Sequence, residues 1–237
     1  YTNWERVIVD DCSTDGTGSI LEEYIQQNGL QNKVHLVRNS ERKGAMENFY
    51  NAISQISPEK VVVIVDGDDW LYDDKVLSHL ARVYKNKKIW MTYGNYISHP
   101  SKEIGRYCES IPRRIVKNGA FRKYKWVTSH LRTFYAKLFH RINKAHFQHE
   151  GKFFPTTCDL AMMFPMLEQS RNGHFRFIRR LMLTYNQTNP INDYKVHADK
   201  VAYYDRYIRS LPRYRPLKSL FLKTSKEMPK IPYIFLR

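Results

Sequence analysis

Hydrophobic and polar positions follow two alternating periods over the first hundred residues. Residues 6–10 (RVIVD) form a short apolar run closed by acid, as in a buried strand, and the polar CSTDGTG that follows reads as a turn. Residues 19–28 then set Ile20, Leu21, Tyr24 and Ile25 at helical spacing on one face. Residues 33–39 (KVHLVRN) alternate as a strand does, and residues 44–56 return to helical spacing through Met46, Phe49, Tyr50 and Ile53. A fully buried strand is expected at 60–65, a helix at 73–84 and a strand at 89–93. Strands separated by helices of this length predict an α/β fold with a mostly parallel sheet flanked by helices. The first strand begins within six residues of Tyr1, so an upstream strand is expected to be missing, which would leave an exposed sheet edge.

Beyond Tyr93 the alternation stops, and Pro100, Gly105, Pro112 and Gly119 punctuate irregular segments. Helices are expected at 129–139 and, despite Pro165, at 159–169, with a strand at 175–183. From Thr188 the chain is polar, then basic and aromatic. The expected organisation is one domain over 1–197, made of halves 1–98 and 99–197, and an extension over 198–237.

Charge divides along the same line. Residues 1–100 hold 11 Lys/Arg against 14 Asp/Glu, and residues 101–237 hold 28 against 9, so a net of −3 faces a net of +19. A formal charge of +16 is therefore not a uniform basic coat. An acidic half beside a basic one suits a metal with a phosphorylated ligand, or a face resting on anionic lipid. Cys12, Cys108 and Cys158 have no metal-ligand spacing and are odd in number, which points to a reducing, cytoplasmic setting rather than a disulfide framework. No apolar run reaches the roughly 18 residues that span a bilayer.

In parallel α/β sheets, ligands bind beyond the carboxyl ends of the strands. Asp10-Asp11 and Asp66-Gly67-Asp68-Asp69 each follow such an end, so both clusters point to one rim. Three carboxylates in four positions repel one another, and a hard divalent cation such as Mn²⁺ or Mg²⁺ would relieve that repulsion with oxygen ligands. The plainer reading is a solvated loop in which Asp69 or Asp73 caps the next helix, and Asp73 fits that role best. Trp70 is expected to pack beneath the turn.

The segments VIVDDCSTDGT, RNSERKGAMENFYNAI and VVVIVDGDDW, in this order and spacing, resemble the successive motifs of family-2 glycosyltransferases with the GT-A nucleotide-sugar fold. The resemblance spans about residues 4 to 95 and, less closely, 120 to 197. It implies a nucleotide-binding half at 1–98 and an acceptor half at 99–197. It also implies Asp10 and Asp11 at the nucleotide, with Asp11 on the base, and Lys43 and Asn48 in the stretch beneath it. Asp66 would face the ribose and Asp68 the metal that bridges the diphosphate, with Asp69 as a supporting or ribose contact. In TTCDLAMMFPMLE the resemblance implies Asp159 as general base, with Cys158 where relatives more often carry Glu; a helix cap is the plainer role for Asp159. Lys195 and His197 fall where a loop would close on the diphosphate, His197 as a metal or phosphate contact. Trp126, His130 and Arg132 fall on the acceptor side, although most of 126–139 also reads as an amphipathic helix packing Leu131, Phe134, Tyr135 and Leu138 inward.

The activity so implied is metal-dependent, inverting transfer of a sugar from a nucleotide-sugar donor, a UDP-sugar by preference, to a carbohydrate, lipid-linked or protein acceptor. Two other readings stay open. A nucleotidyltransferase would also use a strand-end acidic metal site, and the basic aromatic half could bind nucleic acid. No helix-turn-helix, zinc-finger or RNA-recognition signature supports the latter. The extension at 198–237, with Arg206, Arg209, Arg213, Arg215 and Lys218 among aromatics, could instead make peripheral membrane contact.

Overall fold

The computed structural model describes residues 1–189, 198–221 and the backbone of Ile231–Leu236. Alternation of strand and helix holds through β1 (Trp4–Asp10), α1 (Thr17–Gln27), β2 (Val34–Arg38), α2 (Ala45–Ser54) and β3 (Val61–Asp66). After a two-residue strand β4 (Trp70–Leu71) come α3 (Val76–Tyr84), β5 (Met91–His99), α4 (Arg113–Asn118), β6 (Arg132–Tyr135) and α5 (Ala136–Phe139). The hairpin of β7 (Gln148–His149) and β8 (Lys152–Phe153) precedes α6 (Cys158–Ser170), β9 (Phe175–Asn186), α7 (Ala198–Ser210) and β10 (Ile231–Leu236).

All but β7 and β8 join one sheet, ordered β2-β1-β10-β3-β6-β5-β9-β4. Val61 to Val65 are fully buried, which is why β3 reads as an unbroken apolar run and not as an alternating one. Met46, Phe49 and Ile53 of α2, and Val76, Leu80 and Tyr84 of α3, join the same core. Three buried hydroxyls satisfy one another within it: the Tyr84 hydroxyl lies 2.7 Å from Thr133 Oγ1, which lies 2.6 Å from Thr92 Oγ1.

Four expectations change. Residues 129–139 are not one helix: β6 pairs antiparallel with β3 and β5, and only the four residues of α5 are helical. Thr133, Phe134 and Tyr135 are strand-favouring and buried, so sheet pairing outweighs the helical spacing of the apolar residues. The packed face of α1, which starts at Thr17, runs through Gly18, Leu21 and Ile25, leaving Ile20 and Tyr24 exposed. Trp70 does not lie under the turn: it is 44% exposed, with its ring against His99. Finally, β1 and β3 present no open edge to each other, since β10 lies between them and parallel to both.

The extension is stitched to the domain at its start. Ile208 of α7 and Leu220 are buried, and the Leu217 N–H donates to the Gln169 carbonyl. Arg122 is forked onto Glu168 at 2.7 and 3.0 Å, and Glu168 also accepts the Tyr214 N–H at 2.9 Å. No helix among the described residues is long and apolar enough to cross a membrane.

Candidate functional site

The β1 and β3 ends carry acid, as the sequence predicts, but their carboxylates have different surroundings. Asp10 is 2% exposed; its Oδ1 accepts the Ser13 N–H at 3.0 Å and its Oδ2 lies 3.8 Å from Arg38 Nε, which fixes the turn into α1. Asp11 reaches across to α2, accepting the Lys43 N–H at 2.9 Å, the Gly44 N–H at 2.8 Å and the Asn39 side-chain amide at 2.8 Å. Burial would raise the Asp11 carboxyl, but hydrogen bonds from Asn48, Lys43, Asn39 and Gly44 outweigh it and hold the group below the ordinary aspartate value. Asn48 is buried, and its Oδ1 accepts from Asn39 at 2.8 Å. The Lys43 side chain is exposed beside this staple.

Turn residues 66–69 diverge likewise. Asp68 is half-buried and accepts the Asn189 side-chain amide at 2.6 Å. Asp69 is buried; its Oδ1 accepts the Asn186 N–H at 2.8 Å, and its Oδ2 has no partner among the described residues. Burial first, and then the charges of Asp66 and Asp68, push the Asp69 carboxyl up to about 8 against the pull of the Asn186 N–H and Arg132. β9 and the segment just after it thus supply this rim with two asparagines that pattern reading of the sequence missed, since nothing local to Asn186 or Asn189 marks them.

Asp66, Asp69 and His130 bring ligand atoms within 4.8 Å of one another, a group that could hold a metal ion. The chemistry of the set narrows it. His130 is buried, and burial and then Arg132 hold its imidazole well below the ordinary histidine value, so the ring is neutral. Its Nδ1 lies 3.3 Å from Arg132 Nη2, which can only donate. The ring proton therefore belongs on Nε2, which faces Asp66 Oδ2 at 3.8 Å and has no lone pair to offer a cation. The carboxylates of Asp66 and Asp69, with an orphaned buried oxygen, fit a hard divalent cation, and His130 lines the site 3.8 Å from Asp66.

Asp159 meets this rim from α6. It is the second residue of that helix; Thr157 at the cap position makes no side-chain cap hydrogen bond, and Asp159 Oδ1 accepts the first-turn Leu160 N–H at 2.9 Å, so the carboxylate helps cap the helix while its Oδ2 faces the rim. Burial raises the Asp159 carboxyl above its ordinary value, against the pull of Arg132. Arg132 Nη1 lies 3.5 Å from Asp159 Oδ2, and Arg132 Nη2 lies 3.5 Å from Asp66 Oδ2. Trp126, expected on the acceptor side, packs edge-on against Phe164 of α6 at 5.7 Å. Lys195 and His197 lie outside the described residues.

The chain matches the family described as "Glycosyl transferase family 2" over residues 1–165. It is 35% identical over 80 residues to the putative teichuronic acid biosynthesis glycosyltransferase TuaG of Bacillus subtilis, a stretch covering 34% of this chain and 30% of that protein. It is 27% identical over 124 residues, 52% of this chain and 46% of the relative, to the Escherichia coli UDP-Glc:alpha-D-GlcNAc-diphosphoundecaprenol beta-1,3-glucosyltransferase WfaP. The chain thus spans less than half the length of either relative. In fold it is similar to S. aureus TarS residues 1–349, with a TM-score of 0.55 and 18% identity over 78% of this chain and 52% of that one. It is also similar to the mannosyltransferase PcManGT of Pyrobaculum calidifontis, solved with GDP-Man and Mn2+, with a TM-score of 0.51 and 19% identity over 89% of this chain and 56% of that one.

Proposed function

The chain belongs to glycosyl transferase family 2 and is a glycosyltransferase, and on that premise we propose that it moves a sugar from a UDP-sugar to an acceptor hydroxyl with inversion at the anomeric carbon. One observation carries the reading: carboxylates from the end of β3 and the start of α6 converge on Arg132, 3.5 Å from each. That juxtaposition sets a cation-holding acid beside a base-like acid, as a one-step displacement of a nucleoside diphosphate requires.

The nucleotide would lie over the β1 and β3 ends, with Asp11, Asn48 and Lys43 at the base side and Asp66 at the ribose. The Asp11–Lys43–Gly44 staple would keep that floor rigid. A Mn²⁺ or Mg²⁺ ion held by Asp66, Asp68 and Asp69 would neutralise charge on the leaving diphosphate. Lys195 and His197 are assigned to the same diphosphate from the sequence.

Asp159 takes the proton of the acceptor hydroxyl as its oxygen bonds to the anomeric carbon and the bond from that carbon to the diphosphate breaks. The products are the glycoside, the nucleoside diphosphate and protonated Asp159. The acceptor reading follows the relatives: WfaP is named for a diphosphoundecaprenol-linked acceptor and TuaG for teichuronic acid synthesis. The basic second half suits an anionic, lipid-linked acceptor at a membrane surface.

The test follows UDP release and the anomeric configuration of the product, by NMR, from UDP-glucose and other UDP-sugars with Mn²⁺. Inverted product that disappears in Asp159→Asn supports the proposal. Retained configuration, or pyrophosphate release from a nucleoside triphosphate, overturns it.

A further inference from the structure

Two buried arginines show how differently this protein uses the same side chain. Arg122 is saturated: it forks onto Glu168 at 2.7 and 3.0 Å and donates to the Ile208 carbonyl at 2.6 Å. Charge-assisted pairs of that length, about 2.7–2.9 Å, are the strong ones. Arg132 is equally buried, at 4% exposure, yet each of its carboxylate contacts is 3.5 Å long and its Nε has no partner among the described residues. A buried guanidinium left under-satisfied is costly, and such groups in native proteins call for an explanation.

The register of the sheet fixes where this arginine can act. Arg132 stands opposite Ile64 in the antiparallel pairing of β6 with β3, so its side chain shares a face with Asp66 two residues on. From there it spans Asp66 on β3 and Asp159 on α6. The charged groups acting on Asp159 are Arg132 from β6 and Asp205 from α7, and Asp205 is itself paired with Arg209 at 2.7 Å. Among these Arg132 alone favours the ionised carboxylate.

We infer that Arg132 is a positioning residue that links the donor rim to the base: it is shared between Asp66 and Asp159, and a donor-bound cation at Asp66 turns it fully onto Asp159. This rests on Asp159 being the base. The pairing with Asp66 competes for the guanidinium before the donor arrives. Once a cation satisfies Asp66, Arg132 aims and ionises Asp159, so the base is readied only when the donor is in place.

The experiment uses the full chain with UDP-glucose and Mn²⁺, or GDP-mannose if UDP-glucose gives no turnover, and follows nucleoside diphosphate release in wild type, Arg132→Met, Arg132→Lys and Asp159→Asn. In Arg132→Met the kcat is expected to fall about 100-fold, the scale of a misplaced catalytic group. Its acid limb should move to higher pH, with donor KM changed less than about threefold. Lysine should restore the acid limb but only part of the rate, because it keeps the charge without the fork. In the Asp159→Asn background either substitution should cost nothing further, as expected for residues acting through one another. An unmoved acid limb with the loss confined to donor KM overturns the inference and makes Arg132 a donor contact. Additive losses with Asp159→Asn overturn it as well, and the lysine arm of that cycle decides even where Arg132→Met does not fold. If Asp159→Asn itself leaves transfer intact, the base assignment fails first, and the inference falls with it.

Discussion

Replacing Asp69 by Asn tests the electrostatics of the site without touching its shape. Asp69 is pushed up to about 8 from an ordinary 3.8, so between those values the folded protein carries a proton that the unfolded chain lacks. Stability then falls as pH rises, by about 1.4 kcal/mol per pH unit, until the folded group ionises near 8. Histidines set the useful window. His79, His130 and His146 are held below 6.5, so each makes stability rise with pH up to 6.5 and is silent above it. From pH 6.5 to 8 Asp69 therefore stands clear of them and should cost ~2 kcal/mol, which for a chain of this size is ~4–8 °C in Tm. Thermal unfolding in EDTA should show that fall in wild type and a shallower one in Asp69→Asn, where the raised Asp159 carboxyl still acts with the same sign. With Mn²⁺ the cation replaces the proton, so its affinity should rise toward tenfold per pH unit up to about 8. Equal slopes for wild type and Asp69→Asn above pH 6.5 would refute the reasoning.

Other outcomes follow from single contacts. Asp159→Asn should lower kcat by about 10²–10⁴-fold while calorimetry shows donor binding unchanged. Glu168→Ala leaves Arg122 buried and unpaired, so urea unfolding should register a loss of about 3–5 kcal/mol, whereas changing both residues to apolar ones of similar volume should cost far less. Gly44 holds φ 84° and ψ 160°, a region open almost only to glycine. Gly44→Ala should cost about 1–3 kcal/mol by the same assay and weaken nucleotide binding by loosening the Asp11 staple.

How much of this was legible in the sequence depended on whether local pattern or long-range pairing decided each element. The strands with buried, unbroken apolar runs, such as Val61 to Val65, and the helix through Met46, Phe49 and Ile53 declared themselves, because burial and period agree there. Residues 129–139 misled because Leu131, Phe134, Tyr135 and Leu138 have helical spacing while β6 is held by partners some 40 and 70 positions away in the chain. The interior place of β10 was equally hidden, since its neighbours β1 and β3 lie in the first third of the chain. At the site, the acidic strand ends were readable from residue type and position, whereas Asp159 was singled out only through the family resemblance. The different environments of Asp68 and Asp69 were not, because Asn186 and Asn189 arrive from β9 and the segment after it. Nor did spacing reveal that Arg132 touches both carboxylates, a fact of sheet register.

The central claim is that a cation and a nucleotide sugar bind together at the turn after β3. Its most direct test is the change in Tm of the full chain with UDP-glucose, UDP and Mn²⁺, singly and in combination, in wild type and Asp69→Asn. Stabilisation of ~3 kcal/mol, reached at about 100 times Kd, is expected only with nucleotide and Mn²⁺ together, and should be lost in Asp69→Asn. Nucleotide stabilisation that ignores both Mn²⁺ and Asp69 would contradict the account, as would stabilisation by nucleic acid alone that vanishes with added salt.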